Sequence, residues 1–135
     1  RDMELKVGPI EDILTEDVMT CIVKRENKNY KLIEGICAKS GKTALRHWNN
    51  SEYSELYLDG ITKGTGLLYV MEQLGVKKED VICFGDADND YTMLAASGHP
   101  FAMCSCKSEL LLRSFPKSKK DNNHDGVALT LQEIL

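Results

Sequence analysis

The sequence predicts an α/β protein built in two parts, and three observations carry that prediction. From Gly60 onward, stretches with helical apolar spacing alternate with short apolar runs, the pattern of a parallel sheet covered by helices. Before Asp59, β-branched runs flank a single helical stretch, which fits a small α+β module with an open sheet. Asp59-Gly60 is a turn dipeptide lying where the style changes. The expected division is therefore 1–59 and 60–135.

Taken in order, Thr20 to Lys24 (TCIVK) is apolar and β-branched enough for a strand. Asn27 to Ala38 places Tyr30, Ile33 and Cys37 on one side of a helix that Ser40-Gly41 closes. Ala44 to Trp48 and Glu55 to Leu58 read as strands separated by Asn49-Asn50-Ser51. In the second part, Lys63 to Leu74 carries Leu67, Leu68, Val70, Met71 and Leu74 at helical spacing, with Gly75 as C-terminal cap. Val81 to Phe84 is a short buried strand, and Gly85 is expected to let the backbone turn sharply as it leaves the sheet. A helix from Asp90 to Ser97, stopped by Gly98, leads to a further strand from Pro100 to Met103. Asp125-Gly126 opens a last helix with Val127, Leu129, Leu131 and Ile134 turned wholly or partly inward.

Composition narrows the function. No apolar run approaches the roughly 18 residues of a membrane span, so no membrane partner is expected. Arg1 to Lys6 carries charge where a secretory signal needs an apolar core, which makes the cytoplasm the expected location. Five irregularly spaced cysteines imply free thiols, with Cys83 in the core. Cys104-Ser105-Cys106, five residues after His99, lacks the second pair that a zinc framework requires. A formal net charge of −4 argues against nucleic acid as a partner. Lys117, Lys119 and Lys120 do cluster, but without interleaved aromatic residues they read as a solvated loop.

The chemistry concentrates at Val81-Ile82-Cys83-Phe84-Gly85-Asp86-Ala87-Asp88-Asn89-Asp90. Ligands of open α/β sheets bind at the carboxyl ends of strands. Asp86 would project from such an end, with Asn89 and Asp90 at the start of the following helix, where free N–H groups favour anions. Carboxylates held at about 4 Å repel by about 4 kcal/mol at an effective dielectric of about 20. A cation relieves that cost, and Mg²⁺ suits a site of one or two carboxylates that stays open to water and phosphate. From spacing alone, the same run serves equally as a helix N-cap with a solvated acidic turn. It is not a calcium loop, because Tyr91 stands where a glycine would be needed.

The ordered set Gly60-Ile61-Thr62-Lys63-Gly64, Gly85-Asp86-x-x-Asn89-Asp90 and Asn122-x-x-Asp125-Gly126-Val127 resembles the C-terminal part of the haloacid dehalogenase (HAD) superfamily, specifically the Cof-type (subfamily IIB) phosphatases. The resemblance is specific over about 55–135 and loose before it. It implies the C-terminal half of a Rossmann-like core preceded by the last part of an α+β (C2-type) cap. It also implies phosphomonoester hydrolysis through an aspartyl-phosphate, with small phosphorylated metabolites such as sugar phosphates as substrates. Lys63 would neutralise the transferring phosphoryl group, Asp86 would bind Mg²⁺, and Asn89 and Asp90 would complete the metal and phosphate shell.

The chain departs from this pattern in one respect: it has no Asp-x-Asp-Gly-Thr nucleophile segment. The expectation is thus a truncated product, a proteolytic remnant or the product of an incomplete gene model that does not turn over by itself, with an unpaired sheet edge open to self-association. Two rivals remain. One is a non-catalytic metal-binding or assembly module. The other is a P-loop at Gly35 to Thr43 with Lys42 on phosphate, although five residues separate its glycines where four are needed.

Overall fold

The computed structural model describes residues 7–9, 12, 20–26, 30–48 and 51–135. The chain divides into two compact units, Arg1–Asp59 and Gly60–Leu135.

In the first unit, β1 (Thr20–Lys24), α1 (Tyr30–Ser40), β2 (Thr43–His47) and β3 (Tyr53–Leu58) form a helix and an antiparallel sheet of order β1-β3-β2. The central strand β3 pairs Tyr57 with Thr20 on one side and with Ala44 on the other. Its Ser54 is completely buried and accepts a hydrogen bond from Tyr30 Oη at 3.0 Å, with His47 Nδ1 at 2.9 Å. α1 runs two residues past the expected Ala38 because Ser40 Oγ donates to the Cys37 carbonyl at 2.9 Å, after which Gly41 turns left-handed (φ 60°). The expected helix start at Asn27 and the Asn49-Asn50 turn lie outside the described residues. Since Gly35 to Ser40 are helical, no phosphate cradle forms there, and Lys42 follows a helix C-terminus, the wrong end of the dipole for an anion. This removes the P-loop reading.

In the second unit, α2 (Lys63–Leu74) begins at a capping box in which Thr65 N donates to Thr62 Oγ1 (3.1 Å) and Thr62 N donates to Thr65 Oγ1 (2.9 Å). It ends at Gly75, left-handed at φ 64°. There follow β4 (Ile82–Gly85), a 3-10 turn (Asp88–Asp90), α3 (Tyr91–Ala96), β5 (His99–Ala102), α4 (Glu109–Ser114) and α5 (Gly126–Ile134). β4 and β5 are parallel, and a further parallel bridge joins Ala102 to Lys117. Among the described residues β4 therefore has a strand on one side only. The core is Cys83, Leu94, Ala102 and Leu111, with Leu67, Met93 and Phe115 packed against it.

Four expectations need correction. α3 ends at Ala96 because Ser97 becomes extended (ψ 158°) and its hydroxyl donates to the Leu94 carbonyl. Gly98 is not a helix stop: a Cβ there would sit 2.4 Å from the Lys78 carbonyl oxygen, so its smallness serves packing. On α5 the buried positions are Gly126 and Thr130, while Val127 and Ile134 are exposed. On α2 the buried positions are Gly64 and Met71, with Leu67 against the core, and Leu68, Val70 and Leu74 face outward.

Candidate active site

The site is assembled by two close approaches that only glycine permits. A Cβ on Gly64 would lie 2.5 Å from the Thr92 carbonyl oxygen, and the Gly64 N–H donates to Thr92 Oγ1 at 3.1 Å. The first turn of α2 is thereby locked against the first turn of α3. That contact brings Lys63 to Asp90, whose Oδ1 accepts a hydrogen bond from the Lys63 ammonium in an ion pair. A Cβ on Gly85 would lie 2.6 Å from Asp90 Cβ. Gly85 is the last residue of β4 and is not left-handed, so it does not supply the sharp turn expected of it. Instead it leaves room for the Asp90 side chain beneath the strand end.

Asp90 is only 3% exposed. Its Oδ2 accepts from the N–H groups of Asp86 (2.9 Å) and Ala87 (3.1 Å). Burial alone would raise its carboxyl pKa, but the Lys63 hydrogen bond, the two backbone donors and the Lys63 charge outweigh burial and hold it below the usual carboxylate range. This reach back to the preceding N–H groups is the capping geometry that the spacing also allowed. Cap and site are thus the same arrangement.

A cleft of about 690 Å³ opens over these residues, its lining including Lys63, Asp86 and Asp90 together with Ser105, Lys107 and Asn122. Three of the four expected residues meet there. Asn89 is half-buried on the 3-10 turn and does not line the cleft. Asp88 accepts a hydrogen bond from Ser108 Oγ, which also caps α4 by accepting from Leu111 N at 3.2 Å. Ser105 and Lys107 were not singled out from the sequence, and the only hint was that their loop directly follows an expected strand. Asn122 was noted only as part of a motif. It is placed by the Asp121–Gly126 loop, where Asp121 Oδ1 accepts from Asn123 N (2.9 Å) and lies 2.6 Å from His124 Nδ1. Asp125 is left-handed (φ 55°), and a Cβ on Gly126 would collide with the Lys120 carbonyl oxygen at 1.9 Å.

The donor set can be weighed against magnesium. Asp86 is exposed on the cleft, and among the described residues its carboxylate takes no hydrogen bond. Asp90 has already committed three of its roughly four acceptor positions, to the Lys63 ammonium and to the N–H groups of Asp86 and Ala87. No group of three or more His, Cys, Asp or Glu side chains capable of holding an ion exists among the described residues. One carboxylate with open positions still fits Mg²⁺, which keeps several waters and takes phosphate oxygens. It does not fit zinc, and His99 Nε2 lies 2.9 Å from the Glu79 carbonyl oxygen.

Comparison with known proteins gives a consistent picture. The family model for haloacid dehalogenase-like hydrolases matches residues 3–131. The 5-amino-6-(5-phospho-D-ribitylamino)uracil phosphatase YitU of Bacillus subtilis is 28% identical over 94% of the chain, which spans 48% of that relative. The phosphoglycolate phosphatase of Methanopyrus kandleri is 36% identical over 56% of the chain and 32% of its own length. Among solved structures, a haloacid dehalogenase-like hydrolase from Bacteroides thetaiotaomicron superposes with a TM-score of 0.80 at 26% identity, covering 97% of the chain and 49% of that structure. A subclass IIB sugar phosphatase shares the fold at 18% identity and a TM-score of 0.68, over 92% of the chain and 46% of its own. The chain spans half or less of the length of each of these relatives.

Proposed function

The chain belongs to the haloacid dehalogenase-like hydrolases, and from that premise we propose that Gly60–Leu135 carries the magnesium- and phosphate-binding half of a phosphomonoester hydrolase, with Arg1–Asp59 as the last part of a cap. The observation that carries the reading is the Lys63–Asp90 ion pair set beside the open carboxylate of Asp86 in one cleft. A buried aspartate that fixes a lysine, next to a carboxylate left free, is costly as scaffolding and useful for phosphoryl transfer.

Asp86 holds Mg²⁺, which when bound neutralises charge on the phosphoryl oxygens. Lys63, its side chain half exposed, presents its ammonium to the same group while Asp90 keeps it aimed. Asn89, the expected phosphate ligand, stands half-buried on the 3-10 turn outside the cleft lining. The 135 residues contain no Asp-x-Asp-Gly-Thr segment. The carboxylate that takes the phosphoryl group as an aspartyl-phosphate is therefore assigned to a different segment, entering at the open side of β4. The substrates are small phosphorylated metabolites, the class to which the named substrates of the relatives belong.

The second reading, a metal-binding assembly module without turnover, is favoured by the one-sided pairing of β4 and the outward Leu68, Val70 and Leu74. Magnesium-dependent hydrolysis of a generic phosphomonoester separates the two, measured on these residues alone and joined to a preceding segment that contains the nucleophile motif. Turnover in the longer protein that falls by about 100-fold or more in Asp86→Ala supports the hydrolase. Turnover indifferent to Asp86→Ala and Lys63→Ala would overturn it.

A further inference from the structure

The loop that brings Ser105, Cys106 and Lys107 to the cleft carries two of the five cysteines, Cys104 and Cys106, both free and neither fully buried. Cys106 N donates to the Met103 carbonyl at 3.0 Å, which closes a four-residue turn with Cys104 second and Cys106 fourth. With consecutive Cα atoms about 3.8 Å apart, the second and fourth residues of such a turn stand about 5–6 Å apart. A disulfide bridges Cα atoms that are usually about 4.4–6.8 Å apart. The turn is anchored at its start, where Met103 N donates to the Gly85 carbonyl (2.8 Å) and Cys104 N to Ser118 Oγ (3.0 Å). At its far end the Cys106 thiol donates weakly to the Ser108 carbonyl oxygen at 3.8 Å, and its half-buried side chain packs against the edge of the core cluster.

We propose that Cys104 and Cys106 are a redox-active dithiol, a reversible modification site in the wall of the cleft. Oxidation follows thiol–disulfide exchange with a low-molecular-weight disulfide such as oxidised glutathione. One cysteine thiolate, having released its proton, attacks a sulfur of glutathione disulfide and expels glutathione thiolate. The second cysteine, likewise deprotonated, attacks the mixed disulfide and expels the other glutathione. The S–S bond between Cys104 and Cys106 replaces that of the oxidant, and two thiols are oxidised as two are released. Because Ser105, Cys106 and Lys107 all line the cleft that Asp86 also lines, and Ser108 holds Asp88 of the neighbouring turn, closing the pair reshapes that lining.

The test is intact mass and peptide mapping of the full chain carrying Cys21→Ser, which removes the exposed thiol on β1. It is equilibrated in glutathione buffers from reducing to oxidising. The expected result is a loss of two hydrogen atoms mapped to the 104–106 peptide, reversed by reduced glutathione, while Cys83 and Cys37 stay reduced. Cys104→Ser and Cys106→Ser should each replace that loss with one stable glutathione adduct. Glutathione adducts on both cysteines without the two-hydrogen loss would overturn the dithiol. The reach into the cleft rests on the proposed function and is read separately, as a several-fold weakening of inorganic phosphate binding in magnesium on oxidation. If oxidation leaves the binding unchanged, that reach is overturned. If the reduced chain binds no phosphate, the failure lies with the functional reading.

Discussion

The two units are held together in different ways. In the second, helices and strands meet at distances that exclude a Cβ: Gly64 on Thr92, Gly85 on Asp90, Gly98 on Lys78 and Gly126 on Lys120. Leu94 and Leu111 have no exposed surface. In the first unit, among the described residues, Gly35 meets nothing within 4 Å and the completely buried side chain is Ser54, satisfied by Tyr30 and His47. One unit is close-packed around apolar side chains, and the other is pinned by a polar cluster. Precision of placement, which a catalytic constellation needs, resides in the first kind of packing.

Substitutions can break or sharpen that contrast. The largest effect is expected from Gly126→Ala, where a Cβ 1.9 Å from a backbone oxygen forces the loop apart. It should destabilise the second unit by about 4 kcal/mol or more in denaturant unfolding. Leu94→Ala and Leu111→Ala should each cost about 2–5 kcal/mol in the same assay. Asp90→Asn removes the charge paired with Lys63 and should cost about 2 kcal/mol. It should also flatten the acid limb of stability. The Asp90 carboxyl is held below its unfolded value of about 3.9, so its stabilisation is full above about pH 4 and fades as pH falls through the folded value. Unfolding followed from pH 3 to 7 in both proteins reads this directly.

In the first unit the effects shrink and one reverses sign. Tyr30→Phe, which takes a donor from buried Ser54, should cost about 1 kcal/mol. Gly35→Ala, in open space on α1, should stabilise by about 0.5–1 kcal/mol. Comparable losses from Gly35→Ala and Gly126→Ala would dissolve the distinction between the units.

Legibility in the sequence follows the same line. The bounds of β1 and α2 were readable because β-branched runs and a cap-to-cap periodic stretch are local signals. α4 was not, since Glu109 to Ser114 is a six-residue helix with three consecutive leucines and no period to detect. Lys63, Asp86 and Asp90 could be singled out from motif order, and the structure brings them to one cleft. The difference in hydrogen bonding between the two aspartates was not legible, because it depends on which carboxylate the backbone of 86 and 87 happens to face. Ser105 and Lys107 were invisible for a similar reason: a loop's reach toward a distant strand end is a tertiary fact.

The contact between Gly85 and Asp90 has an evolutionary consequence. The constraint on position 85 comes from the bulk of another residue's side chain and not from its own backbone angles. Positions 85 and 90 should therefore drift as a linked pair. A descendant that loses the aspartate frees its strand end to acquire alanine or serine, whereas one that keeps the aspartate keeps the glycine. In any set of aligned descendants, a non-glycine at 85 would mark the copies whose lysine has lost its anchor.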